Sequence, residues 1–149
     1  MKTSKTGINI IKQFEGFSAK PYLCSGGFWT IGYGHKIINA KFNIITEEYA
    51  EELLLQDLLY SELSVTRNIK YRLNQNQFDA LVSLTFNIGG AALQRSTLRQ
   101  KINKQELTYI RQEFLRWNKA GGKIILGLII RRNIEAQLFL NKSVLQLRS

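Results

Sequence analysis

Glycines at positions 26, 27, 32 and 34 cut the stretch from Tyr22 to Ile45 into short β-prone runs. Each run is too short to make a helix, so this part of the chain folds as a small antiparallel sheet or not at all. The runs are Phe28 to Ile31, Ile37-Ile38 and Ile44-Ile45. On both sides the spacing of apolar residues changes to a helical one. Ile8, Ile11 and Phe14 predict a helix from Ser4 to Phe14, which Gly16 stops. Thr46, followed by Glu47 and Glu48, opens a long helix that runs to about Thr66. Asn74 with Gln77 resembles a capping box and opens a helix from Gln75 to Phe86, ended by Asn87 to Gly90. Ser96 or Thr97 caps a short helix to Ile102. A further helix is expected from Gln105 to Trp117, then a loop from Asn118 to Gly127 and a last helix from Leu128 to Leu140.

These readings predict an α+β fold that is mainly α, and a single domain over residues 1–149. A small antiparallel β lobe, about 15–45, is joined by a long interlobe helix, about 46–66. The larger helical lobe takes in about 67–149 and residues 1–14. Such a joint makes a cleft. A chain of 149 residues buries roughly 68–70 % of its unfolded surface, so it needs no covalent staple. Its single cysteine forms no internal disulfide, and one histidine with one cysteine falls short of a zinc ligand set. No metal and no cofactor are expected. The N-terminal segment lacks the apolar core of a signal peptide, and the longest apolar run, Ile124 to Ile130, is far short of about 20 residues for a membrane span. The protein is therefore expected to stay in the cytoplasm until it is released.

Charge is uneven. Residues 1–75 carry nine Lys/Arg and seven Asp/Glu; residues 76–149 carry twelve and four. A basic second half suits a polyanionic partner such as nucleic acid, an anionic membrane face or a bacterial envelope, and equally a plain basic surface.

The rare residues converge on Phe14 to His35, FEGFSAKPYLCSGGFWTIGYGH, which holds the only cysteine, histidine and proline. Glu15 lies at a helix C-terminus among apolar neighbours, both of which favour the neutral acid that general acid catalysis needs. Thr30, on the run FWTI, carries a hydroxyl that can donate and accept, as orienting a water requires. Cys24 sits in a turn; with His35 it offers a conceivable nucleophilic pair.

Taken together, Glu15, Cys24 and Thr30 followed by IGYGH resemble the active-site segment of phage-type lysozymes, the endolysins of glycoside hydrolase family 24. QNQFDALVSLTFNIGG (75–90) and FLRWNKAGGKIILGLIIRRNIEAQLF (114–139) extend the resemblance over nearly the whole chain. It implies a lysozyme-like fold with the active site in the cleft, and hydrolysis of the β-1,4 bond between N-acetylmuramic acid and N-acetylglucosamine in peptidoglycan. Glu15 takes the place of the general acid. In the usual pattern an Asp carboxylate, with the Thr, holds a water on the opposite face of the sugar, an inverting arrangement with the two groups roughly 6.5–9.5 Å apart. Cys24 departs from that pattern, as it does in one branch of the family. Its thiol can hold the water with Thr30, its thiolate can act as base, or as nucleophile with retention of configuration; the first is the favoured reading.

The resemblance further implies that His35 pairs with Asp57 on the long helix and that Phe86 and Asn87 line the cleft and bind sugar. For Phe86 a core position is the other reading. Arg131 resembles the arginine that pairs with the catalytic Glu, with Arg132 as the other candidate. The implied partners are peptidoglycan strands, an anionic envelope and a separate holin-like protein for release. No specific nucleic acid is implied, and a monomer is expected. Three alternatives stand beside this reading: a Cys24/His35 peptidoglycan amidase or peptidase, a basic nucleic-acid-binding domain, and an inactive wall-binding relative.

Overall fold

A computed structural model of the chain describes residues 1–38 and 43–140. Residues 39–42 of the expected β lobe, and 141–149 at the end of the expected domain, lie outside the described residues. The elements run α1 (Lys5–Glu15), β1 (Ser18–Leu23), β2 (Trp29–Gly32), β3 (His35–Lys36), α2 (Glu47–Asn68), α3 (Gln75–Ile88), α4 (Gly90–Arg95), α5 (Thr97–Asn103), α6 (Ile110–Leu115), β4 (Lys119–Ala120), β5 (Lys123–Ile124) and α7 (Leu126–Phe139). The architecture is α+β and mainly α. A three-stranded antiparallel sheet, β1-β2-β3, packs on α2, which leads into the helical lobe.

α3 is the axis of that lobe. Its nine residues from Gln77 to Thr85 are all buried, which requires a helix enclosed on every side. α1, α2, α4 and α7 supply the enclosure. The capping box read from Asn74 and Gln77 is present, each side chain bonding the other's backbone N–H. Around α3 the core gathers Ile11, Leu54, Leu58, Leu93, Leu98, Ile102, Phe114 and Phe139.

α1 docks on α3 through a buried carboxylate. Asp79 is fully buried and accepts from the Ser4 backbone N–H at 2.9 Å, from Gln75 Nε2 at 2.8 Å and from the Ser4 hydroxyl. Ser4 thus caps α1 and latches it at once. Close approach depends on Gly7: a Cβ there would stand 2.8 Å from Asp79 Cγ. At the far end Gly16, at φ 70°, stops the helix in a conformation that L side chains rarely adopt, leaving Glu15 as its last residue.

The structure corrects the sequence reading in several places. The first strand is Ser18–Leu23, which contains Pro21; Ile44-Ile45 forms no strand and contributes a single bond, Ile45 N–H to Ala19 O at 3.0 Å. Proline is tolerated because β1 is an edge strand, and the register shifts between Ser18 and Tyr22. β3 is His35–Lys36, two residues earlier than Ile37-Ile38. The helix expected from Gln105 starts at Ile110, since Gln105 itself turns left-handed at φ 62°. Gly89, at φ 91°, ends α3 but redirects the chain into α4 rather than into a loop. The segment from Asn118 to Gly127, read as a loop, holds the β4-β5 hairpin, turned by Gly121 and Gly122 at positive φ. α7 starts at Leu126, two residues early.

Gly7→Ala is expected to destabilise the fold by about 1–3 kcal/mol, although alanine is the better helix former. A lowered urea midpoint at unchanged slope would show it, and a raised midpoint would disprove the close packing.

Candidate active site

The C-terminal end of α1 delivers Glu15 to a cleft of about 560 Å³ between the sheet and the helical lobe. Gly34, His35 and Lys36 line it from the sheet, Asp57 and Tyr60 from α2, and Phe86 and Asn87 from the end of α3. The two oxygens of Glu15 meet different surroundings. Oε1 accepts from Arg131 Nη1 at 2.9 Å. Oε2 faces Gly34, where a Cβ would come within 2.8 Å of it. Gly34 also has φ 75°, so both its conformation and its neighbour demand glycine.

Arg131 is itself held by a buried network. Its Nε donates to Glu135 Oε2 at 3.2 Å and its Nη2 to the Ser83 carbonyl at 3.1 Å. Arg132 lies beside it: Nε stands 2.7 Å from Glu135 Oε1, an ion pair off hydrogen-bond alignment, and Nη2 donates to Oε2 at 3.2 Å. Burial lowers the Arg132 pKa, with Glu135 opposing and Arg131 adding to the shift. Of the two arginines it is Arg131 that pairs with Glu15. Arg132 instead donates to Asn87 Oδ1 at 2.9 Å. An arginine only donates, so the Asn87 carbonyl is occupied and its amide NH₂ remains for a ligand. Phe86 is half-buried, packed on the core and lining the cleft at once.

The IGYGH run bolts the sheet to α2. His35 Nδ1 lies 2.8 Å from Asp57 Oδ2, and the Tyr33 hydroxyl donates to Glu47 Oε1 at 2.7 Å. Burial, then the Glu47 bond and charge, push the Tyr33 pKa up to about 12. Tyr33 and Glu135 were not singled out from the sequence. For Glu135 the signal was its spacing, three and four residues after the paired arginines on one helix.

Cys24 and Thr30 sit on the β1-β2 hairpin, outside the lining of that cavity but within electrostatic range of it. Tyr22 faces Thr30 across the strands, and its pKa is raised by burial, then by the charges of Glu15 and Cys24. Cys24 is a free, partly exposed thiol at the turn, where its N–H donates to the Phe28 carbonyl at 2.9 Å. A hydrogen bond from Thr30, then backbone bonds from Phe28 and Gly26 and the Lys36 charge, hold the thiol below its ordinary pKa. Thr30 is buried and its hydroxyl also donates to the Phe28 carbonyl, at 3.0 Å. His35, one residue out of phase with Thr30's cross-strand partner Lys36, turns to Asp57 instead. Among the described residues no group of three His, Cys, Asp or Glu side chains could hold a metal ion.

Residues 12–135 match the family described as phage lysozyme. The chain is 43% identical over 143 residues to an endolysin of Bacillus phage B103, covering 94% of this chain and 54% of that protein. It is 40% identical over 146 residues to the endolysin of Salmonella phage P22, covering 95% and 99%. It thus spans about half the length of the Bacillus phage relative and nearly all of the Salmonella phage one. Among solved structures, the muramidase domain of SpmX from Asticaccaulis excentricus superposes with TM-score 0.86 at 37% identity, covering 93% of this chain and 97% of that one.

The hydrogen bonds around Cys24 have a direct readout in alkylation by iodoacetamide as a function of pH. The midpoint is expected below the roughly 8.5 of a free thiol and should rise in Thr30→Val. An unchanged midpoint in that variant would remove Thr30 from the thiol's environment.

Proposed function

The chain belongs to the phage lysozyme family, and on that premise we propose that it is a muramidase cutting the β-1,4 bond between N-acetylmuramic acid and N-acetylglucosamine for host cell lysis. The observation that carries the site assignment is Glu15 held at the cleft by Arg131 through one oxygen only. Oε2 is then the oxygen that carries the proton to the leaving glycosidic oxygen as the C1–O bond breaks. Cys24 and Thr30 bind the attacking water. The water oxygen bonds to C1 while its proton passes to the sulfur of an ionised Cys24, and solvent restores both groups. Thr30's hydrogen bond supports this role because it favours the thiolate.

On the same reading Asn87 donates its amide to an N-acetyl carbonyl, with Arg132 fixing its orientation. Phe86 offers its ring to a sugar face. His35 and Asp57 hold the sheet on α2 and take no part in the chemistry. The cysteine-peptidase alternative finds less support, since the interactions that stabilise the Cys24 thiolate come from Thr30, Phe28, Gly26 and Lys36.

Glu15→Gln is expected to lower reducing-end release from purified peptidoglycan by about 10²–10⁴-fold with near-ultraviolet dichroism unchanged. Release of new amino groups without reducing ends would overturn the muramidase reading. For export we propose that the enzyme waits in the host cytoplasm for a separate holin-like partner. Expression alone should then leave cells intact, and co-expression of a membrane-permeabilising protein should lyse them; lysis without it would refute the partner.

A further inference from the structure

Charge lining the cleft is matched at every position but one. Glu15 is paired with Arg131, and His35 with Asp57. Lys36 remains, and among the described residues no carboxylate pairs with it. Its place is nevertheless built. Lys36 is the cross-strand partner of Thr30, so the two side chains share one face of the sheet. Its ammonium sits 4.5 Å from the centroid of the Phe28 ring, and its charge is felt at Cys24. A ring face attracts a cation but leaves its N–H donors without a strong acceptor. Lys36 is exposed and is one of the residues that line the cleft.

The glycan's sugar rings are neutral. Its anionic groups hang from the lactyl ether of the muramic residue, as the lactyl carboxylate itself or, where a peptide is attached, as that peptide's carboxylates. We propose that Lys36, supported by Phe28, forms a carboxylate-recognition subsite on the sheet wall of the cleft. It binds the acidic substituent of the muramic residue and so favours muramic-acid polymers over neutral ones. The inference rests on the muramidase reading. It concerns selection of substrate; because the Lys36 charge is also felt at Cys24, Lys36→Gln is read by the ratio of acidic to amidated substrate, in which any change at the thiol cancels.

The test compares two soluble oligosaccharides, one with free lactyl carboxylates and one bearing stem peptides, each against its carboxyl-amidated twin. Reducing-end kinetics are measured for wild type, Lys36→Gln and Lys36→Arg. Calorimetry measures binding to Glu15→Gln with and without Lys36→Gln. Wild type is expected to prefer at least one acidic form by about 3–10-fold, through KM rather than kcat, as an exposed charged hydrogen bond allows. Lys36→Gln should lose that preference and Lys36→Arg keep it. The pair that shows the preference identifies lactyl or peptide carboxylate as the anion. Equal use of acidic and amidated forms by wild type, or an equal loss on both in Lys36→Gln, would overturn the subsite. If no variant releases reducing ends, the muramidase reading fails, while the calorimetric pair still reads the subsite by itself.

Discussion

A single fully buried carboxylate, Glu135, organises the cleft side of the helical lobe. It pairs with two adjacent arginines that are themselves buried, and each arginine then reaches outward to a different residue of the cleft, Glu15 or Asn87. Burying such charges is costly, and their mutual attraction offsets the cost only with good geometry and satisfied donors. Here Ser83, Asn87, Trp117 and Glu15, from α3, from the segment after α6 and from the end of α1, meet the outer donors, while Arg132 Nε has only its ion pair with Glu135. Removing Glu135 would strand Arg132 in the core with no carboxylate, a loss on the order of 3–5 kcal/mol. The network therefore serves position more than stability: it carries the register of α7 to the last residue of α1.

The opposite wall is placed by another set of constraints. Glu15 leaves α1 at Gly16 and meets Gly34 on the turn between β2 and β3, with no room for a side chain between. Tyr33 and His35, on either side of Gly34, bond to Glu47 and Asp57 on α2. These two sit ten residues apart on one helix, nearly three full turns, so they share a face of α2. The sheet is thus fastened to the helix that joins the lobes, and the hairpin that carries Cys24 and Thr30 inherits its position from that fastening. Cys24, where the usual pattern has a carboxylate, is partly exposed at the tip of this hairpin, in hydrogen-bonding surroundings that favour its charged form.

How far the sequence could be read follows from how local each interaction is. The capping box at Asn74, the N-caps at Thr46 and Ser96, and the stop at Gly16 depend on residues within one turn, and they stand in the structure. β1 was missed because Pro21 argues against a strand, and only its place at the sheet edge, a tertiary fact, makes it tolerable. The shortened α6 turns on Gln105, whose left-handed backbone has no signature in a residue that ordinarily favours helix. The loop expected from Asn118 to Gly127 did not show that the two residues on either side of Gly121 and Gly122 would pair as a hairpin.

The candidate residues were legible because their types and spacing are unusual for one short stretch and match a family pattern. Which arginine meets Glu15 was not. Arg131 and Arg132 are chemically identical neighbours about 100° apart around a helix, and only the packing of α7 against α3 and the end of α1 decides which points where. The same holds for Lys36, whose position in sequence says nothing of its charge being the one left unmatched in the cleft. By itself the sequence determined the helical and extended segments, their caps, and the chemical groups available, because those are properties of residue type and near neighbours. The tertiary structure alone decided which charges are paired and which stay unpaired in the cleft, because that depends on distances between segments far apart in the chain.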